Sequence, residues 1–167
     1  HCLNPVGRLD KDSSGLLLMS DDGELANQLT HPRYAKTKVY EVALSTSLAP
    51  LHQQMITDHG VMLDDGVSRF IVAKKESTDA SYMIGTKALP RNSHRKAAGG
   101  ATAVHDSEIK THDSPYYYTV TIREGRNRQI RRTFAALGYH ITSLHRTHFG
   151  PYSLGDLAIG SLRQAYA

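Results

Sequence analysis

The stretch from Tyr116 to Leu137, YYYTVTIREGRNRQIRRTFAAL, decides the fold because a strand, a turn and a helix follow one another in it without interruption. Residues 116–123 have the highest β propensity in the chain and predict a strand. Residues 124–127 predict a turn, and residues 128–137 predict a helix that ends at Gly138. The domain is therefore expected to contain a strand–turn–helix unit at this point.

The predicted helix is amphipathic. Its apolar face contains Ile130, Phe134 and Leu137, and its basic face contains Arg128, Arg131 and Arg132. We expect the apolar face to pack on the core and the basic face to point outward. Asn127 is expected to be the N-cap, at a helix end where backbone N–H groups and the helix dipole add positive potential.

Arginine is concentrated in this stretch. Five arginines and one acid, Glu124, lie between Arg123 and Arg132, so the segment carries a net charge of +4, the same as the whole chain. Few acids lie nearby in the sequence to pair with these arginines, and Arg suits bidentate contact with phosphate. The segment predicts a polyanionic partner, and the alternative is a solvated basic helix face.

Length and composition limit the possible classes of protein. The 167 residues fit one domain, or one domain with a long insertion, and 40% hydrophobic residues are enough to build a core. The single cysteine, Cys2, excludes an internal disulfide and a thiolate metal cluster. No apolar run approaches the ~20 residues of a membrane span. We expect a cytoplasmic monomer without a membrane partner.

The rest of the chain predicts strands and helices that do not alternate regularly. The predicted strands are 16–20, 38–44, 68–74 and 141–144, and the predicted helices are 24–30 and 49–59. This order favours an α+β domain with a mainly antiparallel sheet over a doubly wound domain.

Some side chains can be assigned to the core, and one segment interrupts the pattern. From the second of these helices, Leu51, Met55 and Ile56 are expected to face inward. Tyr116 and Tyr118 are expected to share a buried strand face. Residues 86–115 predict a polar loop or insertion, and their alternative is an edge strand at 101–104.

The segment from Asp10 to Asp21 allows three interpretations. Its oxygen-bearing side chains have the spacing of a calcium loop with Gly15 at the sixth position, although Leu18 replaces a ligand. A turn rich in Asp and Ser, without function, is the second interpretation. The third is a reactive carboxylate. Arg8 and Asp10 face the same side of an extended backbone, and Arg favours the ionised form that a nucleophile or base needs.

Five blocks of sequence, taken in order, carry a resemblance to one family. They are GRLDKDSSGLLL at 7–18, the segment from DG to HP at 22–32, KVY at 38–40, EGRNRQIRR at 124–132, and residues 146–157, which contain GP at 150–151 and LGDL at 154–157. Together they resemble the RsuA-type ribosomal RNA pseudouridine synthases over nearly the whole chain. The resemblance implies a pseudouridine synthase catalytic domain over 1–167, with a curved, mainly antiparallel mixed sheet flanked by helices.

The resemblance also implies an activity and a set of site residues. The implied reaction converts one uridine in folded RNA, expected to be ribosomal RNA, to pseudouridine without a cofactor or metal. Asp10 is implied as the catalytic carboxylate, Tyr40 as the aromatic residue that stacks near the target uracil, and Arg131 as the salt-bridge partner of Asp10. The implied RNA-binding residues are Arg8, Arg126, Asn127, Arg128, Gln129 and Arg132.

Two features depart from the family pattern. Many members carry a small S4-type RNA-binding domain before the catalytic domain, whereas only residues 1–6 precede the first motif here, so we expect that domain to be absent or removed. The stretch 86–115 is longer and more polar than expected, and it is either an insertion or an RNA contact. The rival interpretation is a non-catalytic module of the same fold, which would bind RNA without forming a product.

Overall fold

The main structural feature is one sheet with three short α-helices, seen in the residues that the computed structural model describes, 2–75 and 115–165. The strands are β1 (Asn4–Val6), β2 (Ser14–Gly15), β3 (Leu18–Ser20), β4 (Lys38–Leu44), β5 (Val61–Leu63), β6 (Gly66–Ser68), β7 (Ile71–Lys74), β8 (Tyr116–Ile122), β9 (Ile141–Phe149) and β10 (Tyr152–Ser153). The helices are α1 (Gly23–Thr30), α2 (Pro50–Gln54) and α3 (Gln129–Ala136), with a 3-10 turn at Pro32–Tyr34 and a π-helical turn at Met55–His59. Apart from Pro115, the predicted loop at 86–115 and its alternative edge strand at 101–104 lie outside these residues.

The sheet is mainly antiparallel. Its strands follow the order β10-β9-β4-β8-β7, and each neighbouring pair in this order is antiparallel. The short strand β2 pairs with β9 in parallel. Two small antiparallel pairs, β1 with β3 and β5 with β6, complete the described strands. The prediction of an α+β domain with a mainly antiparallel mixed sheet is confirmed.

Two apolar cores hold these elements together. The larger core joins the central strands to α3 and the π-helical turn, and Val42, Val120, Phe134 and Ile56 are fully buried in it. The smaller core lies at the start of the chain and joins β1 and α1 to the end of β9 through Val6, Leu16, Leu29 and Phe149. Both cores are stabilised by removal of apolar surface from water. Polar side chains gather where the two cores meet.

Several predicted strand boundaries are wrong. The run 16–20 is not one buried strand, because β2 ends before it and only its last three residues form β3. The predicted strand at 68–74 is divided between β6 and β7. The predicted strand at 141–144 continues to Phe149, because β9 pairs with the full length of β4. A local sequence pattern gives no information about pairing with β4, so it could not predict where β9 ends.

Two side-chain assignments are also wrong. Leu51 is 65% exposed, because α2 is only five residues long and then widens into the π-helical turn, which changes the direction of the inward face. Ile56 is buried as expected, and Met55 is half-buried. Tyr118 is buried as predicted, but Tyr116 is exposed at the first position of β8.

Candidate active site

Asp10 lies in the loop between β1 and β2, residues 7–13. Gly7 begins the loop with φ of +78°, a conformation that favours glycine. The Ser13 N–H donates to the Asp10 carbonyl at 2.9 Å and closes a turn. Because β2 then pairs with β9, the loop is anchored to the sheet directly after this turn.

The loop borders an open cleft with a volume of about 310 Å³. The cleft lies between the two cores, because its lining includes Ile130 from the larger core and Phe149 from the smaller core. Eight of the nine predicted site residues line it: Arg8, Asp10, Tyr40, Arg126, Asn127, Arg128, Gln129 and Arg131. The ninth, Arg132, is not part of the lining.

The cleft lining is strongly cationic. It contains six cations, Arg8, Lys38, Arg126, Arg128, Arg131 and Arg146, and two carboxylates, Asp10 and Glu124. The Arg8 side chain is exposed, and it has no hydrogen bond or ion pair with any described residue. This excess of positive charge favours a polyanionic ligand such as a nucleic acid.

Asp12 connects the loop to helix α3. Arg128 donates from Nη1 and Nη2 to the two Asp12 carboxylate oxygens, at 2.8 and 2.9 Å. This hydrogen-bonded pair lowers the pKa of Asp12 to about 2, so the carboxylate is ionised at neutral pH. Sequence analysis did not identify Asp12 as a site residue, because its partner lies 116 residues away.

The predicted salt bridge between Arg131 and Asp10 does not form in the structure, where Arg131 pairs with Asp12 instead. Arg131 Nε lies 3.3 Å from Asp12 Oδ2, and Arg131 Nη2 donates to the Asp12 carbonyl at 2.5 Å and to Ser13 Oγ at 3.4 Å. The turn closed by Ser13 presents Asp12, rather than Asp10, to α3. Arg131 therefore contacts the loop two residues beyond the predicted position.

The predicted N-cap is also wrong. Arg128, rather than Asn127, occupies the cap position, with φ of +46° and no side-chain capping bond. A left-handed conformation is uncommon for a residue other than glycine and costs about 1–3 kcal/mol. The two bonds to Asp12 hold Arg128 in this conformation. Asn127 is exposed in the cleft lining.

The expectation that the arginines have few acids to pair with is wrong as well. Arg126 binds Asp65 Oδ1 at 2.9 Å and Glu124 Oε2 at 3.1 Å. Arg132 binds Asp64 at 2.5 Å and Asp65 at 2.7 Å. Asp64 and Asp65 form the turn between β5 and β6, which is remote in sequence and adjacent in the fold. These ion pairs dock the hairpin on α3, and the predicted RNA contact of Arg132 remains a prediction.

Gln129 is committed to contacts within the protein. It is 3% exposed, and its Nε2 donates to Ser68 Oγ at 3.1 Å and to Glu124 Oε2 at 2.9 Å. Its Oε1 accepts the Arg126 N–H at 3.3 Å. Gln129 thus braces the turn before α3, and its predicted RNA contact also remains a prediction.

Strands β4 and β9 provide further lining residues. Tyr40 pairs with Arg146 in the ladder between these strands. The pairing skips Thr147, which forms a bulge, and this extra residue allows Arg146 and Phe149 both to be buried. Bulges redirect side chains in this way beside functional sites.

Two lining cations lie against one aromatic ring, and sequence analysis missed both as site residues. The Arg146 guanidinium carbon is 5.0 Å from the centre of the Phe149 ring, and Lys38 Nζ is 5.2 Å from it. Burial, together with the charge of Arg146, lowers the pKa of Lys38. Two sequence signals point to Arg146: it begins the block at 146–157, and it lies two residues after Leu144, so a longer strand would place both on one face.

The contacts of Asp12 argue against the calcium interpretation. Asp12 would supply the third ligand position of such a loop, and two guanidinium groups bind its oxygens instead. Within residues 2–75 and 115–165, no group of three or more His, Cys, Asp or Glu side chains could hold a metal ion.

The helices are short and carry polar faces. In the part of the chain that the structure describes, no helix has both the length and the apolar character needed to cross a bilayer.

Comparisons with known proteins identify the family of this chain. Residues 2–136 match the family model described as RNA pseudouridylate synthase. Ribosomal large subunit pseudouridine synthase B of Bacillus subtilis is 32% identical over 96% of this chain and 52% of its own length. Ribosomal large subunit pseudouridine synthase E of Xanthomonas campestris is 34% identical over 95% of this chain and 74% of its own length. The chain thus spans about half of the Bacillus relative.

A solved structure supports the same fold. The chain matches a crystal structure of pseudouridylate synthase with a TM-score of 0.61 and 24% identity, over 91% of this chain and 50% of that one. The predicted pseudouridine synthase fold is therefore confirmed. The family model covers most of the chain, so this chain belongs to the RNA pseudouridylate synthase family.

Proposed function

We propose that this chain converts one uridine of ribosomal RNA to pseudouridine, with Asp10 as the catalytic carboxylate and no cofactor. The observation that carries the proposal is that Asp10 and Tyr40 share one cleft whose lining has six cations and two carboxylates. The names of the Bacillus and Xanthomonas relatives favour RNA of the large ribosomal subunit as the substrate. We further propose that the protein is cytoplasmic, because bacterial ribosomal RNA is found in the cytoplasm, and that it is a monomer.

The proposed reaction needs a positioned carboxylate and a place for the target base. The N1–C1′ bond breaks, the uracil turns, and a C5–C1′ bond forms; the proton on C5 is lost and N1 gains one. Asp10 would attack C1′ or remove a sugar proton, and either role requires an ionised carboxylate beside the ribose. The target nucleotide must also leave its stack, and stacking on Tyr40 would return about 1–3 kcal/mol of that cost.

The arginines of the lining are proposed to bind RNA in different ways. Arg8 is exposed and unpaired within the described residues, so it is assigned to the RNA next to the target nucleotide. Arg128 and Asn127 are exposed on the same cleft and are assigned to phosphates, together with the more deeply placed Arg126. Arg131 is assigned to the catalytic end, because it contacts the turn that carries Asp10.

The proposal is tested with unmodified transcripts of large-subunit ribosomal RNA. The transcripts are incubated with the wild-type chain, with Asp10→Asn, or with Asp58→Asn, which removes an exposed carboxylate outside the cleft. Pseudouridine is then mapped by a chemical stop assay. We expect one modified position, formed by wild type and Asp58→Asn and absent with Asp10→Asn. Folded wild-type protein that binds the RNA without forming a product would identify a non-catalytic binding module.

A further inference from the structure

Arg146 is a buried charge with an unusual set of partners. Its side chain is 2% exposed, and it binds two backbone carbonyls: Nε donates to Leu16 O at 2.8 Å and Nη1 donates to Arg8 O at 3.2 Å. Arg8 lies two residues before Asp10, and Leu16 lies six residues after it. One guanidinium therefore bridges two arms of the chain around the carboxylate: the start of the loop, before Asp10, and the residue that follows β2, after Asp10.

The backbone of Arg146 holds the same loop. The Leu16 N–H donates to the Arg146 carbonyl at 2.8 Å, and Gly15 pairs with Arg146 in the parallel ladder. The two chains are so close that a Cβ on Gly15 would lie 2.2 Å from the Arg146 carbonyl oxygen. Side chain and backbone of one residue thus fix the loop after Asp10, and the side chain also fixes it before Asp10.

Stability does not by itself account for a guanidinium at this position. Among the described residues Arg146 has no carboxylate partner, and its Nη2 is buried without a hydrogen bond. Burial of a charge carries a desolvation penalty, and an apolar residue of similar volume is often equally stable or more stable. Two carbonyls on either side of a reactive residue, however, can be bridged by the planar donor set of Arg and by few other side chains.

We propose that Arg146 is the positioning residue for Asp10: by binding the carbonyls of Arg8 and Leu16 it sets the distance between the two arms of the chain and thereby the placement of the carboxylate. The proposal rests on the proposed function, since it assigns Asp10 its role. Arg146 does not itself take part in bond making or breaking. Misplacement of a reacting group by about 1 Å can cost 10²-fold in rate, which is the size of effect expected.

The test compares Arg146→Met, which keeps the length of the side chain without its donors, with Arg146→Lys, which keeps one donor group. Single-turnover and steady-state rates are measured on the transcript that wild type modifies, at a temperature where circular dichroism shows every variant folded. We expect Arg146→Met to lower kcat about 10²-fold with little change in KM. Arg146→Lys should recover part of kcat, because an ammonium can still bind one of the two carbonyls.

Tyr118→Phe is the control for a purely structural loss. Its hydroxyl accepts the Leu48 N–H at 2.8 Å in the main core and touches no part of the loop, so its removal should lower the melting temperature and leave kcat unchanged. Hydrogen exchange gives a second readout that does not depend on activity. In Arg146→Met the amides of Ser13 and Leu16 should exchange faster, while core amides of β4 and β8 should keep their protection.

Two results would overturn the inference: a folded Arg146→Met enzyme with wild-type kcat, or a raised KM at unchanged kcat, which would make Arg146 a substrate-binding residue. Absence of product from wild type on every transcript would instead refute the proposed function. In that case hydrogen exchange still tests whether Arg146 holds the loop. Equal protection of the Ser13 and Leu16 amides in Arg146→Met and wild type would show that it does not.

Discussion

Gly15→Ala tests whether the loop that carries Asp10 depends on the close approach of β2 to β9. Gly15 has φ of +105°, and a new Cβ would lie 2.2 Å from the Arg146 carbonyl oxygen and 2.6 Å from its amide nitrogen. The unfavourable φ costs about 1–3 kcal/mol. The backbone atoms cannot yield without loss of the Leu16 N–H bond to Arg146, and an unsatisfied buried group costs about 1–3 kcal/mol more. Unfolding free energy should therefore fall by about 2–6 kcal/mol.

The assay is thermal unfolding with Gly23→Ala as a matched control. Gly23 begins α1, and a Cβ added there would have no heavy atom within 4 Å, so the same substitution should be neutral or slightly stabilising. For a chain of this length the expected loss at Gly15 corresponds to a melting temperature lower by about 5–20 °C. Equal melting temperatures for the two variants would refute the reasoning, because they would show that β2 does not need its contact with β9.

Three further predictions concern charges at the cleft. The folded-state pKa of Asp12, about 2, lies below its ordinary value of 3.8. Its ion pair therefore stabilises the protein fully above about pH 4, and this stabilisation is lost as the pH falls towards 2. The difference in melting temperature between wild type and Asp12→Asn should shrink over that interval. Arg128→Ala should reduce the salt slope of RNA binding by about one, whereas Arg163→Ala, which removes an exposed arginine outside the cleft, should leave it unchanged; equal slopes for both would contradict the assignment. Lys38→Met should weaken RNA binding without lowering the melting temperature at neutral pH. Burial of the Lys38 ammonium lowers its pKa, which means that the charged form is destabilised in the folded protein. A large loss of stability in Lys38→Met would contradict this account.

The elements of the fold could be predicted where the signal is local. The strand at 116–122, the helix that follows it and the apolar face of Ile130 and Phe134 all follow from β propensity and helical periodicity within one short window. The long strand β9 could not be bounded in this way, because its second half is held by pairing with β4, more than 100 residues earlier.

The candidate site shows the same limit. The motif around Asp10 and the basic helix could be recognised from their residues, and eight of nine predicted residues line one cleft. The partners of the arginines could not, because Asp12 and Asp65 are brought to α3 only by the fold. Arg146 was missed for a related reason: a bulge and a parallel pair, neither visible in a local pattern, place it beneath the loop.

The central claim is that Asp10 carries out the isomerisation, and release of tritium from RNA labelled at C5 of uridine tests it most directly, since the C5 hydrogen leaves only when the C5–C1′ bond has formed. The wild-type chain and Asp58→Asn are predicted to release tritium at similar rates, and Asp10→Asn is predicted to bind the same RNA with the same Kd and release none. Tritium release by Asp10→Asn at the wild-type rate would contradict the account.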